Sequence, residues 1–216
     1  SGTGFGLTKS GAGTLTLTGA STFTGNVVIN GGNLSVGGLA NNTNPTATSL
    51  GNMTTVGKTV TVNSGGTLTF TSSDGWGAYN YKTPVKLIAD GGTITRIAST
   101  TTFNSIGDVE LKNGGRLTTT NGGNNATVGS FALNGNVTVS GTSGSYIDTL
   151  AGQTAFTQIQ LGTTAGTTTF DVAATGDATA DLTVSAILAD KTLGGAANLT
   201  KTGAGKMVVS GVYTYT

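Results

Sequence analysis

Hydrophobic and polar residues alternate along this chain in short bursts. Leu15-Thr16-Leu17-Thr18, Val60-Thr61-Val62, Leu68-Thr69-Phe70, Val137-Thr138-Val139 and Leu182-Thr183-Val184 each place apolar side chains on one face and threonine on the other, the period-two signature of a half-buried strand. Strands of three to five residues are predicted throughout. Glu, Gln, Lys and Arg are too sparse to sustain a 3.6-residue amphipathic pattern, so no helix is expected. No apolar run approaches the ~18 residues that a membrane-spanning helix needs, and membrane insertion of this segment is not expected.

The punctuation between the strands repeats. Asn30-Gly31-Gly32-Asn33-Leu34, Ser64-Gly65-Gly66-Thr67-Leu68, Asp90-Gly91-Gly92-Thr93-Ile94 and Asn113-Gly114-Gly115-Arg116-Leu117 are four copies of one unit: a small polar residue, Gly-Gly, any residue, then Leu or Ile. Asn134-Gly135-Asn136-Val137 reads as a degenerate fifth copy. Two residues before each polar residue stands Val28, Val62, Ile88 or Leu111, which predicts an inward-facing position ahead of every turn. The glycines are expected to supply positive φ angles that a Cβ would disfavour.

Successive Gly-Gly pairs are separated by 34, 26 and 23 residues, irregular but suited to a solenoid whose loops vary in length. A sandwich of hairpins also has short strands and glycine turns. Alternate hairpins would seldom need the same turn chemistry four times in succession, however, and Thr and Asn stack on themselves between coils as ladders of like side chains. The expectation is a single all-β segment over residues 1–216, a parallel β-helix of about nine coils. At ~4.8 Å per coil it forms a rod on the order of 40 Å long.

Composition narrows the chemistry. Charged residues make up 9 % of the chain and the net charge is +1, so no electrostatic footprint for nucleic acid exists. His and Cys are both absent, which removes imidazole bases, thiol nucleophiles, disulfides and the usual zinc ligands. Stability has to come from a packed core and a lattice of backbone hydrogen bonds. With 37 glycines but 36 % hydrophobic residues and a mean hydropathy of +0.08, the chain can still bury such a core.

The segment from Leu7-Thr8-Lys9-Ser10-Gly11-Ala12-Gly13-Thr14-Leu15 through Gly25-Asn26-Val27-Val28-Ile29-Asn30-Gly31-Gly32-Asn33-Leu34-Ser35-Val36-Gly37 resembles the passenger-associated transport repeat of bacterial autotransporters. It departs from the family pattern at Ser21, where Asn is usual, and at Phe23, where Tyr is usual; neither change touches a glycine. A second copy starts at Leu199-Thr200-Lys201-Thr202-Gly203-Ala204-Gly205 and runs to Thr216, aligning without gaps to Leu7–Thr24 with nine of 18 positions identical. The resemblance covers 7–37 and 199–216 only; the middle is matched by composition and by its Gly-Gly turns. It implies a right-handed parallel β-helix carried to the surface of a Gram-negative-type bacterium or beyond it, with the repeat aiding transport or folding of the passenger. Freedom from Cys suits passage through an outer membrane. The offset of 192 residues between the copies suggests one period of a longer array, whose end coils would pair with neighbouring copies covalently or head to tail.

Candidate chemistry is thin. Asp171, Asp177 and Asp181 cluster within eleven residues and Asp108 stands near Glu110, the residue types a carbohydrate-active β-helix enzyme or a calcium site would use. No basic or aromatic partners accompany them, and a polar loop explains Asp177-Ala178-Thr179-Ala180-Asp181 better. No enzymatic activity and no cofactor are therefore expected, calcium being the weaker alternative. Trp76, Tyr79 and Tyr81 lie in a segment that interrupts the coil pattern; they form either a contact loop for a surface glycan or a host or matrix protein, or a packed satellite cluster. Phe5 and Phe23 near one end, with Tyr213 and Tyr215 near the other, are candidates for end-to-end association. The reading is a structural or adhesive segment of a surface or secreted protein, with an extracellular polysaccharide lyase or hydrolase as the alternative.

Overall fold

The computed structural model describes residues 4–37, 44–72, 81–97, 104–119, 131–149, 158–162, 166–191, 195–211 and 213–214. Their 21 strands form three sheets of eight, eight and five strands, and every strand pairing within them is parallel. Strands consecutive in the chain fall in different sheets, and each sheet is filled by successive returns of the backbone. This is the expected parallel β-solenoid. Each of the two larger sheets carries eight rungs among the described residues, against about nine coils expected from length. At ~4.8 Å per rung, seven spacings span about 34 Å.

The core is a set of stacked aliphatic columns. In the second sheet Leu15, Leu34, Leu68, Ile94, Leu117, Ile147, Val184 and Val209 lie in register across eight rungs, and the middle six are fully buried. The first sheet contributes Val27, Val60, Leu87, Val109, Val137 and Phe170 in one column and Ile29, Val62, Ala89, Leu111, Val139 and Val172 in the next. The third sheet adds Phe131, Ile159 and Leu188. Alternation with threonine follows from geometry, because only every second side chain of a strand faces inward. Arg96 departs from the pattern: in register with Phe70 and Thr119, it is fully buried.

The four Gly-Gly units occupy one corner, between the first and second sheets, and their spacing is the register itself, with Gly32 opposite Gly66 and Thr67, Thr93 and Arg116 in line. Ile29, Val62, Ala89 and Leu111 are the inward residues ahead of that corner. Val28 and Ile88, expected inward, are instead partly exposed on the outer face, opposite Thr61 and Glu110. The cause is turn length. Two residues separate Ile29 from Gly32 and Ala89 from Gly92, but three separate Val62 from Gly66 and Leu111 from Gly115. One inserted residue moves every side chain before the turn to the other face.

Asn134-Gly135-Asn136-Val137 belongs to a different corner. It lies between Phe131–Leu133 of the third sheet and Val137–Ser140 of the first. There it matches Gly25-Asn26-Val27 and Gly107-Asp108-Val109. In all three the side-chain oxygen accepts a hydrogen bond from a backbone N–H of the following coil: Thr59 N to Asn26 Oδ1 at 2.9 Å, Asn136 N to Asp108 Oδ1 at 2.9 Å and Thr169 N to Asn136 Oδ1 at 3.0 Å. A Gly-Asn/Asp-Val signature marks the second corner as Gly-Gly marks the first. The signature is legible in the sequence, and Asn134-Gly135-Asn136-Val137 is therefore not a degenerate copy of the Gly-Gly unit.

Candidate functional site

The Gly-Gly corner assigns separate tasks to its two glycines. Gly65 has φ of 79°, with no neighbour near its missing Cβ, whereas a Cβ on Gly66 would stand 2.8 Å from Ile29 O and 2.9 Å from Asn63 O. The first bends the chain through the left-handed region; the second lets one coil settle on the turn below. Gly91 and Gly92 divide the work in the same way, as do Gly114 and Gly115. In the first copy Gly32 does both, with φ of 65° and the Gly11 carbonyl 2.5 Å from its would-be Cβ; the nearest atom to a Cβ on Gly31 is 3.7 Å away. Polar side chains then link the corners axially. Asn63 Nδ2 donates to Asn30 Oδ1 at 2.7 Å, Asn113 Nδ2 to Asp90 Oδ1 at 2.7 Å, and Lys112 Nζ lies 3.1 Å from Asp90 Oδ2. Against the opposing effect of its partial burial, the hydrogen bond from Asn113 and the Lys112 ammonium hold the Asp90 carboxyl below the usual carboxylate range.

The carboxylates singled out for catalysis or calcium are engaged in holding turns. Asp181, buried just ahead of Leu182–Val184, accepts from Thr175 N and Thr175 Oγ1 through Oδ1, both at 2.6 Å, and from Lys206 N through Oδ2 at 2.6 Å. Asp177 accepts from Thr179 Oγ1 at 2.7 Å, Thr179 N at 2.9 Å, Gly144 N at 3.2 Å and Ala180 N at 3.4 Å. These bonds, those from Thr179 foremost, bring Asp177 down to about 2. Thr175 does the same in direction for Asp181. Asp171 accepts from Thr202 Oγ1 at 2.9 Å on the outer face of the first sheet. Asp108 lies 3.5 Å from Lys82, and Glu110 lies 3.5 Å from Lys86. Among the described residues no three carboxylates converge on one point.

Of the aromatic candidates, Trp76, Tyr79 and Tyr215 lie outside the described residues. Tyr81 is half-buried; its hydroxyl donates to Met53 O at 3.5 Å, its carbonyl accepts from Asn134 Nδ2 at 3.1 Å, and burial raises its pKa. Phe23 packs partly against the core beneath Lys58, whose Nζ stands 4.3 Å from the ring centroid. Lys58 Nζ also donates to Leu50 O at 2.6 Å and Phe23 O at 3.1 Å, tying the excursion before Thr59–Asn63 to the first coil. Burial lowers Lys58 to about 8, and Lys191, which donates to Asn134 Oδ1 at 2.7 Å, likewise to about 8. Phe5 and Tyr213 are 71 % and 47 % exposed at opposite ends of the stack. Phe23 thus packs against the core and Tyr81 is partly exposed, while Phe5 and Tyr213 are open to solvent.

The two end coils carry the same strands in the same sheets. Leu7–Lys9 and Thr14–Leu17 open the first and second sheets; Asn198–Thr202 and Met207–Val209 close them. Lys9 takes an inward position in line with Ile29, and its Nζ donates to the turn carbonyls of Ser10 at 3.1 Å and Gly11 at 2.7 Å, and to Gly31 O of the next coil at 3.0 Å. Lys201 Nζ makes the equivalent grip on its own turn, donating to Thr202 O at 3.2 Å and Gly203 O at 2.9 Å. A lysine here satisfies orphaned turn carbonyls and clamps two coils together. The family model of the passenger-associated-transport-repeat matches residues 7–36 and 199–216. The chain carries one copy of this repeat and the opening part of a second. Comparison with curated proteins and with solved structures returns no significant match. The matched segments include both lysine-gripped turns.

Proposed function

We propose that this chain is a structural, non-enzymatic passenger segment of an autotransporter-type protein, displayed at or released from the surface of a Gram-negative bacterium, whose coils continue from one repeat period to the next and offer an adhesive lateral surface. The parallel solenoid and the transport repeats fit such a passenger segment. The observation that carries the reading is the lysine clamp: Lys9 bonds its own turn and the Gly31 carbonyl of the coil stacked on it, and Lys201 makes the same bonds to its own turn in the last described coil. Asp177 and Asp181 support a non-enzymatic role, because threonines and backbone amides occupy both of the oxygens that general acid–base chemistry would need.

The test is a tandem chain in which residues 25–216 follow Thr216 directly, so that the second repeat is completed in the register of the first. A continuous stack unfolds in one cooperative transition with a higher urea midpoint than the single copy, because the joined edges gain backbone pairing and a shared core. Two transitions, or a midpoint unchanged from the single copy, would show that the coils do not propagate across the joint. Beads coated with the chain test the adhesive part by their retention on glycan-bearing surfaces.

A further inference from the structure

The outer face of the second sheet holds polar atoms that the fold leaves unused. Thr69, Thr95, Thr118 and Asp148 form one axial column over four consecutive rungs. Thr69 Oγ1 donates to Asn33 Oδ1 at 2.8 Å. Farther along, Thr95 Oγ1, Thr118 Oγ1 and Asp148 Oδ1 are buried without a hydrogen-bond partner among the described residues. Thr95 and Thr118 are 5 % and 2 % exposed. A buried hydroxyl left unpaired is costly, and two such atoms on adjacent rungs, ~4.8 Å apart, point to a shared ligand. Thr95 and Thr118 line a groove of about 520 Å³ together with Thr67, Thr93, Ile97 and Arg116. Arg116 closes one side, its guanidinium 4.8 Å from the Tyr146 ring centroid and its Nη1 3.0 Å from Asp148 Oδ2.

We propose that this groove binds an uncharged glycan lying along the solenoid axis. Threonine offers a methyl and a hydroxyl side by side, which suits a sugar ring with its C–H faces and equatorial hydroxyls; Ile97, half exposed, supplies a further apolar wall. The repeat of the column is comparable to the length of one ring, so successive sugars meet the same hydroxyl. The Arg116 charge is already met by Asp148, which disfavours a polyanion: its carboxylates would find the guanidinium that lines the groove already paired.

This inference deepens the adhesive reading and rests on it. The test is affinity electrophoresis of the whole chain in gels containing dextran, galactomannan or xyloglucan, with alginate as the anionic arm. Retardation by at least one neutral polysaccharide is expected, with affinity reduced at least tenfold in the Thr95→Val/Thr118→Val variant. That variant keeps shape and strand preference while deleting the unpaired hydroxyls, so its Tm should equal or exceed that of the parent. Unchanged affinity in the variant, retardation by alginate alone, or no retardation by any neutral polysaccharide overturns the proposal. Beads coated with the chain that still adhere to glycan-bearing surfaces through such a result would spare the adhesive reading; beads that fail to adhere would remove both.

Discussion

Single residues at the Gly-Gly corner meet two different physical demands, and substitution separates them. Gly66→Ala forces a Cβ against two backbone carbonyls that cannot swing aside, so a loss of about 2–4 kcal/mol is expected from overpacking and backbone displacement. Gly31→Ala meets ordinary contact distance at a residue outside the positive-φ set, and its stability should stay within about 0.5 kcal/mol of the parent. Urea denaturation of the two variants checks the contrast; equal losses would refute the division of labour. The adjacent Gly-Gly pairs were legible in the chain, but which glycine did which task was not, because a sequence does not show whose carbonyl lies beneath a turn.

At the scale of the element, each strand is too short to be stable alone and takes its stability from the column it joins. Ile94 lies in the middle of the eight-rung column, between Leu68 and Leu117, and is fully buried. Ile94→Ala should therefore cost about 2–5 kcal/mol and lower the urea midpoint of the whole transition without creating a second one. A variant unfolding in two steps would show that the coils on either side act as independent units. The alternation that predicts these strands assigned inward faces correctly within strands such as Val60-Thr61-Val62 and Leu68-Thr69-Phe70. It failed for Val28 and Ile88 because the assignment was carried across turns of unequal length. The faces of a strand follow from local alternation; its phase relative to the next strand depends on how many residues the corner consumes.

For the whole molecule, pH dependence follows from groups whose ionisation the stack perturbs in opposite directions. Asp177, Asp181 and Asp90 are held below their ordinary values by their hydrogen-bond donors and, for Asp90, Lys112 as well. Their contribution to stability is present above the unfolded carboxylate value of about 4 and is lost as pH falls through the folded values, about 2 for Asp177. Lys58 and Lys191, each lowered to about 8 by burial, bind fewer protons folded than unfolded between about 8 and about 10.5, so stability should rise with pH over that window. The urea midpoint measured from pH 2 to pH 10 should fall at the acid end and climb above pH 8, and Lys58→Met should flatten the alkaline climb. A wild-type midpoint that is flat or falling between pH 8 and 10 would contradict the assignment.

Much of the architecture was written in local chemistry. Period-two alternation, the scarcity of helix formers, the recurring Gly-Gly units and the paired repeats together required a stack of short parallel strands with aliphatic columns inside, because those features act within a few residues of one another or recur with each coil. Tertiary structure alone decided what depends on contacts between coils: that Asp177 and Asp181 hold turns, that Lys9 reaches Gly31 one coil away, that Arg96 is enclosed, and that Thr95, Thr118 and Asp148 share an unpartnered column. Axial neighbours in this fold lie 19 to 37 residues apart in the chain, at offsets set by loops of variable length, so no local pattern encodes which side chains meet.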